Sequence, residues 1–209
     1  MDSKLRWEGI VLSVQPRIRL IRSFDQRSHT YLGFVIRIAG RVEDVEREVL
    51  VGIGAAAQEK HGFRVGDRVS GLGVAVADPR LETAELYKVS GVKLLERGPD
   101  RAHQGAPFER VPPGLDVYRA RGHRRLAARS FETKCASCMW GCAMAVEMII
   151  DQWNPTQRRY RVETFCYGPK SCSLYAAGPT RKVPGRNSMS WEEEDWVDQL
   201  ATAHRGEDE

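Results

Sequence analysis

Cysteine is missing from the first 134 residues of this 209-residue chain. All five cysteines fall in the last third of the sequence: Cys135, Cys138, Cys142, Cys166 and Cys172. No stretch approaches the roughly 18 uninterrupted apolar residues of a membrane-spanning helix. The first seven residues also lack the apolar core of a secretory signal. We therefore expect a cytoplasmic protein without a membrane partner, where clustered cysteines are more often metal ligands than disulfides.

Catalytic motifs are missing as well. The five histidines are scattered along the chain, and none forms an H-x-x-x-H or H-x-E pair. The zinc deaminase pattern of H-x-E with P-C-x-x-C is therefore absent. The chain also has no G-x-S-x-G elbow, Walker loop or dinucleotide glycine fingerprint. The sequence favours a non-catalytic protein, although it does not exclude an enzyme.

The cysteine spacing, in contrast, is informative. Two short cysteine pairs joined by a predicted hairpin are typical of a small domain that holds Zn2+ with four sulfurs. We predict that the ligands are Cys135, Cys138, Cys166 and Cys172. Such a closed site is structural, because no coordination position is left for water. Cys142 is the extra thiol, which can replace Cys138 or Cys172 or simply be buried. The odd cysteine leaves an iron–sulfur cluster or redox-active thiols as alternatives.

The first half of the chain reads as five strands with one short helix between the third and the fourth. The predicted strands are Trp7–Val14 with a continuation beyond Pro16, Tyr31–Ile38, Glu46–Ile53, Arg68–Val76 and Tyr87–Leu95, and the helix spans Ala55–Gly62. This order, together with the run Phe63–Gly71, resembles the OB-fold, a five-stranded Greek-key barrel. The resemblance implies an OB-like barrel over residues 1–97.

Three further segments follow the barrel. Residues 98–134 are an Arg/Pro-rich connector, and residues 135–189 resemble a zinc ribbon whose hairpin places Cys166 opposite Ala145. Residues 190–209 are predicted to form an acidic helix, capped by Ser190 and Glu193, with Val197 and Leu200 on its docking face. The predicted fold class is mainly β: a five-stranded OB-like barrel, a small zinc-ribbon-like β-hairpin domain and a C-terminal α-helix.

Charge is distributed unevenly. Residues 190–209 contain eight acidic residues and one arginine, which leaves +11 on the rest of a chain whose net charge is +4. Basic surfaces attract polyanions, and OB barrels bind oligonucleotides along strands two and three and at two loops. We therefore predict a basic track for nucleic acid, single-stranded by preference. Its predicted contacts are Arg22, Phe24, Arg27, Tyr31, Arg37, Arg124, Arg125, Arg158 and Arg159.

Two alternative functions remain open. The same two modules, in the opposite order, resemble small proteins that accompany thiolase-type acyl-CoA enzymes, which implies an accessory subunit docked on a partner protein. The second alternative is an iron–sulfur or thiol redox protein. The acidic segment Trp191–Trp196 could also occupy the basic groove as a nucleic-acid mimic, or it could be an ordinary surface helix.

Overall fold

The computed structural model describes residues 3–23, 26–99, 105–154 and 156–207. Its strands are β1 (Lys4–Arg22), β2 (Arg27–Val42), β3 (Val45–Ile53), β4 (Arg68–Ala75), β5 (Leu86–Glu96), β6 (Arg124–Arg125), β7 (Gly141–Ile149), β8 (Arg158–Cys166), β9 (Arg181–Pro184) and β10 (Ser190–Glu193). Its α-helices are α1 (Ala55–His61), α2 (Leu115–Arg121), α3 (Ala128–Ser130) and α4 (Asp195–Thr202). A π-helical turn spans Phe131–Cys135, and a 3-10 turn spans Arg186–Ser188. The chain is mainly β, as predicted.

The first five strands close into a ring. Strand β1 pairs antiparallel with β2 on one side and with β4 on the other, and β4 pairs with β5. Strand β3 pairs with β2 and meets β5 in parallel, Val51 opposite Leu86. The order β1-β2-β3-β5-β4 returns to β1, and α1 lies between β3 and β4 as predicted. The predicted OB-like arrangement is therefore present, with Trp7 and Phe63 fully buried in its core.

Helix α1 ends where its sequence says it should. Gly62 follows its last residue with φ 56° and ψ 49°, a left-handed conformation that costs glycine little. The Gly62 N–H donates to the carbonyl of Gln58, which satisfies one of the last carbonyls of the helix. This glycine C-cap could be predicted from the sequence.

Strand β1 is longer than predicted and joins the barrel to the cysteine-bearing hairpin. It continues through Pro16 to Arg22, with register shifts near Val11 and Arg17. Its last residues pair in parallel with β7, from Arg19 opposite Ala145 onward. One eight-stranded sheet therefore crosses from the predicted barrel into the predicted zinc-ribbon segment. The strands that carry Cys142 and Cys166 are therefore an extension of the barrel sheet.

The predicted hairpin register is wrong by four residues. Cys166 lies opposite Gly141 rather than Ala145, and the β7–β8 ladder begins with Ile149 opposite Arg158. The connection is longer than the predicted turn because residues 150–157 contain further turns, with a hydrogen bond from Ile150 N–H to the Gln157 carbonyl. The predicted meeting of the cysteine segments at the open end of the hairpin is confirmed.

The predicted capping box is also wrong. Ser190 and Glu193 belong to strand β10, which pairs with β9, and α4 begins at Asp195 after Glu194. Glu193 is buried in ion pairs with arginines from distant strands, so tertiary contacts override the local helix signal. Val197 is buried as predicted, whereas Leu200 is 69% exposed.

Candidate metal centre and basic aromatic pocket

Four of the five thiols line one closed cavity, here called the thiol cavity. Cys135 ends the π-helical turn, Cys138 precedes β7, Cys166 ends β8, and Cys172 lies in the following loop. The cavity has a volume of about 10 Å3, close to the smallest space that holds one water molecule. Its other walls are mostly apolar and include Phe108, Leu126, Trp140, Leu174 and Tyr175. These four residues are the predicted ligand set.

The fifth thiol is elsewhere. Cys142 is fully buried on β7, and its Sγ donates to the Pro16 carbonyl at 3.3 Å. It does not line the thiol cavity. Burial alone raises the pKa of Cys142, whereas the other thiols also act on one another. Of the roles predicted for Cys142, the structure fits the simple buried residue.

Electrostatics identify the four thiols as neighbours. Burial, together with the nearby Cys138, Cys166 and Cys172, raises the pKa of Cys135 to about 12. Burial likewise raises the pKa of Cys138 to about 11, although backbone hydrogen bonds with Trp140 and Phe108 oppose the shift. The Gly168 N–H donates to Cys166 Sγ at 3.4 Å. Backbone donors of this kind favour the thiolate, the form that binds metal.

The four thiols line one cavity, but they are not arranged in the geometry of a metal site. Among the described residues, no three His, Cys, Asp or Glu side chains are arranged as the ligand set of a metal ion. The donor set nevertheless fits zinc, since it offers four sulfurs, an ion-sized space and a closed apolar wall. Metal binding would require the thiols to release their protons and draw together.

The barrel holds the cysteine turn through Gln15, a buried residue of β1. Its Nε2 donates to the carbonyls of Cys135 at 3.1 Å and Cys138 at 2.9 Å. The Tyr118 hydroxyl donates to the neighbouring Met139 carbonyl at 2.8 Å. The backbone of the first cysteine pair is therefore fixed by groups outside the thiol cavity, as outer contacts fix ligands in known metal sites.

The predicted nucleic-acid contacts do not form one continuous track. Arg22 is buried between Glu163 at 3.2 Å and Glu193 at 2.9 Å, and Arg27 donates to Glu193 at 2.8 Å. Arg125 is fully buried against Asp198 and Asp195. Arg22 and Arg125 are thus buried and held by carboxylates within the protein, so neither is a free basic group on the surface.

The remaining predicted contacts are divided between stacked and exposed positions. The Arg119 guanidinium lies 4.8 Å from the centre of the Tyr31 ring, and Arg124 lies 3.9 Å from that of Tyr175. Arg37 and Arg158 pair with acidic neighbours, Glu48 and Glu147 respectively. Arg159 is exposed, and Phe24 lies outside the described residues. Most of these side chains are therefore already engaged within the protein.

The ion pairs around Arg22 form a network with surplus positive charge, here called the arginine network. Among the residues that the structure describes, it contains four arginines, Arg22, Arg27, Arg161 and Arg181, and two carboxylates, Glu163 and Glu193. Its six charges therefore sum to +2. Two histidines lie beside it. Burial first, then Arg27 and Arg22, lower the pKa of His29 to about 4. Burial first, then His29 and the arginines, hold the pKa of His123 well below its ordinary value.

A pocket opens beside this network, at the end of the barrel where β1 passes to β2. It has a volume of about 430 Å3 and is here called the tryptophan pocket. The residues that line it include Arg22, Arg27, Val183, Trp191, Trp196, Val197 and Leu200. Sequence reasoning placed the arginines near a ligand but treated both tryptophans as part of an acidic helix. No local sequence signal could have found them, because Glu193, between the two tryptophans, pairs with arginines of distant strands.

Comparisons of the chain with protein-family models, curated proteins and solved structures find no match. Within the described residues, no helix is both long and apolar enough to cross a membrane. Function must therefore be inferred from the chain's own residues.

Proposed function

We propose that this chain is a non-catalytic zinc-binding protein that binds single-stranded nucleic acid through its OB-like barrel. The observation that carries the proposal is the arginine network, whose surplus charge of two lies at the β1–β2 end of the barrel beside an aromatic pocket. OB barrels bind oligonucleotides at this loop among others. A cytoplasmic location, which we propose from the sequence, would keep the thiols reduced.

Zinc has a structural role in this proposal. Cys135, Cys138, Cys166 and Cys172 would hold the ion as thiolates, with no coordination position open for substrate. The ion would tie the turn before β7 to the end of β8 and the loop beyond it. Because Gln15 already fixes that turn to β1, a rigid metal centre would also stiffen the barrel strand that leads to Arg22.

Binding of a single strand needs phosphate neutralisation and a stacking surface. The arginine network supplies positive potential, of which Arg27 is the most accessible part, with a side chain 38% exposed. The exposed Arg159 on the adjoining hairpin could add a phosphate contact. The buried arginines would contribute positive electrostatic potential but no direct contact with the nucleic acid. The binding surface is therefore smaller than the sequence suggested.

The test is a titration of the zinc-loaded full chain with a fluorescent single-stranded oligonucleotide at several salt concentrations. Counterion release predicts that log K falls linearly with log salt, with a slope of about −0.7 per phosphate contacted. The same strand in duplex form should bind more weakly. Absence of binding at low salt would exclude the proposed function. A salt-insensitive complex with another protein would instead favour the accessory-subunit alternative.

A further inference from the structure

We propose that the tryptophan pocket binds a single unstacked nucleotide, with the base against Trp191 and Trp196 and the phosphate at Arg27. This inference rests on the proposed function and narrows it to one site and one ligand class. The pocket joins the β1–β2 end of the barrel to β10 and α4, so the acidic C-terminal segment becomes a wall of the site.

The apolar walls are exposed in a way that suits an aromatic ligand. Trp196 is 52% exposed and Leu200 is 69% exposed, whereas Val183 and Val197 beside them are buried. The Trp140 ring, by contrast, contacts the Tyr118 ring and the guanidinium of Arg121. Within the described part of the chain, Trp191 and Trp196 make no such ring contact, and the exposure of Trp196 leaves part of its ring open to a stacked base.

The charge beside these rings favours a phosphate. Arg27 gives one terminal nitrogen to Glu193, and it has no second partner among the residues that the structure describes. Its remaining N–H groups can therefore donate to an anion without breaking the Glu193 contact. Arg22 cannot reach out in this way, since Glu163 and Glu193 hold it. It still adds to the positive potential beneath the pocket.

Size and shape restrict the ligand further. The volume of about 430 Å3 is within the range of small-ligand pockets. A flat ring that carries a phosphate matches both the aromatic wall and the single accessible guanidinium. A bare phosphate would leave the apolar wall exposed to water. An uncharged aromatic ring would leave the positive charge of the arginine network without an anionic partner. A nucleotide uses both features, so adenosine monophosphate is a suitable probe.

The experiment is a titration of the zinc-loaded full chain in which tryptophan fluorescence reports ligand binding. The ligands are adenosine monophosphate, adenosine and inorganic phosphate. We expect saturable quenching by the monophosphate and at least tenfold weaker binding of the other two. Trp196→Ala should weaken the monophosphate by about tenfold, because base stacking on an aromatic side chain typically contributes that much. Trp153→Ala is the matched control, since Trp153 is 84% exposed at the hairpin tip.

A second pair of variants tests the charge without touching the arginine network. Leu200→Glu adds a negative charge to the exposed wall, and Leu200→Gln adds a side chain of similar size without charge. We expect Leu200→Glu to bind the monophosphate several-fold more weakly than Leu200→Gln does. The two variants should bind adenosine with the same affinity. Circular dichroism of each variant checks that the fold is retained.

Four outcomes would overturn the inference. If adenosine binds as tightly as the monophosphate, Arg27 does not hold a phosphate. If Trp153→Ala removes the quenching and Trp196→Ala does not, the ligand binds elsewhere. If a single-stranded oligonucleotide binds with a salt-dependent affinity but the pocket variants bind it normally, this inference fails while the proposed function stands. Failure of both the oligonucleotide and the monophosphate to bind would remove both.

Discussion

The thiol cavity and the arginine network are both assembled from distant parts of the chain, but they manage charge in opposite ways. In the thiol cavity, burial and neighbouring thiols raise the pKa of Cys135 and Cys138 within mostly apolar walls. In the arginine network opposite charges are paired at close range, the described side chains carry two more positive than negative charges, and a pocket opens beside them. Four sulfurs among apolar walls suit a structural cation, and an open positive site suits an anionic ligand.

The largest effect should come from breaking the thiol cavity. Cys138→Ser, or removal of metal by a chelator, should lower the unfolding free energy by several kcal/mol, because structural zinc contributes its binding energy to folding. For a chain of this size the melting temperature should fall by about 10 °C or more. Thermal unfolding followed by circular dichroism measures the effect. Cys142→Ala is the control, and a loss as large as that of Cys138→Ser would argue against the assignment.

Breaking the arginine network should cost somewhat less. Glu163→Gln leaves Arg22 and Arg181 buried with too little compensating charge. Loss of one partner of a buried ion pair typically costs about 3–5 kcal/mol. Denaturant unfolding provides the measurement, and Glu192→Gln is the matched control because its pair with Lys182 is exposed. The control should change stability by less than about 1 kcal/mol. Equal effects would mean that the network is not a stabilising unit.

The link between the two regions can be tested at Gln15. Gln15→Leu removes both hydrogen bonds to the Cys135 and Cys138 carbonyls while the side chain stays similar in size. Loss of such outer contacts typically weakens metal binding by about 10- to 100-fold. Competition with a zinc indicator of known affinity gives the change. A variant that binds zinc as tightly as the parent would show that the barrel does not position the cysteine turn.

A further effect should be a pH dependence from His29. Its folded pKa of about 4 is below the unfolded value of 6.5, so the unfolded state binds the proton first. Stability is therefore complete above pH 6.5 and is lost as the pH falls toward 4. The facing groups are Arg27, Arg22, Glu193 and His123, whose ring centre lies 4.9 Å from that of His29. His29→Asn should make this loss shallower in denaturant unfolding at stepped pH. If the parent and His29→Asn lose stability equally steeply as the pH falls, His29 is not the source of this pH dependence.

Much of the barrel could be predicted because its signals are local. Alternation along β2 and the glycine after α1 are set by neighbouring residues, and both were read correctly. The set of four cavity cysteines could also be predicted, since it consists of two closely spaced pairs that flank the predicted hairpin. Spacing alone could not give the hairpin register, which depends on the turns within residues 150–157.

The candidate binding surface was less predictable for a different physical reason. Arg22 and Glu193 are 171 positions apart, and Arg22 and Glu163 are 141 apart, so no local pattern announces that they pair. The same contacts turned Ser190–Glu193 into a strand, although the sequence contains a good helix-capping motif. Charge counts identified the basic body and acidic tail, but they could not tell which arginines are neutralised inside the protein.

The most direct test of the thiol cavity is the metal content of the full chain, by elemental analysis with an absorption spectrum on anaerobically purified protein. About one zinc per chain, no visible absorbance, no zinc in Cys138→Ser and unchanged zinc in Cys142→Ala are the results that we predict. Iron with visible absorbance would contradict the account and favour a cluster or redox role. Protein that contains no metal, and takes up none when zinc is added, would contradict it as well.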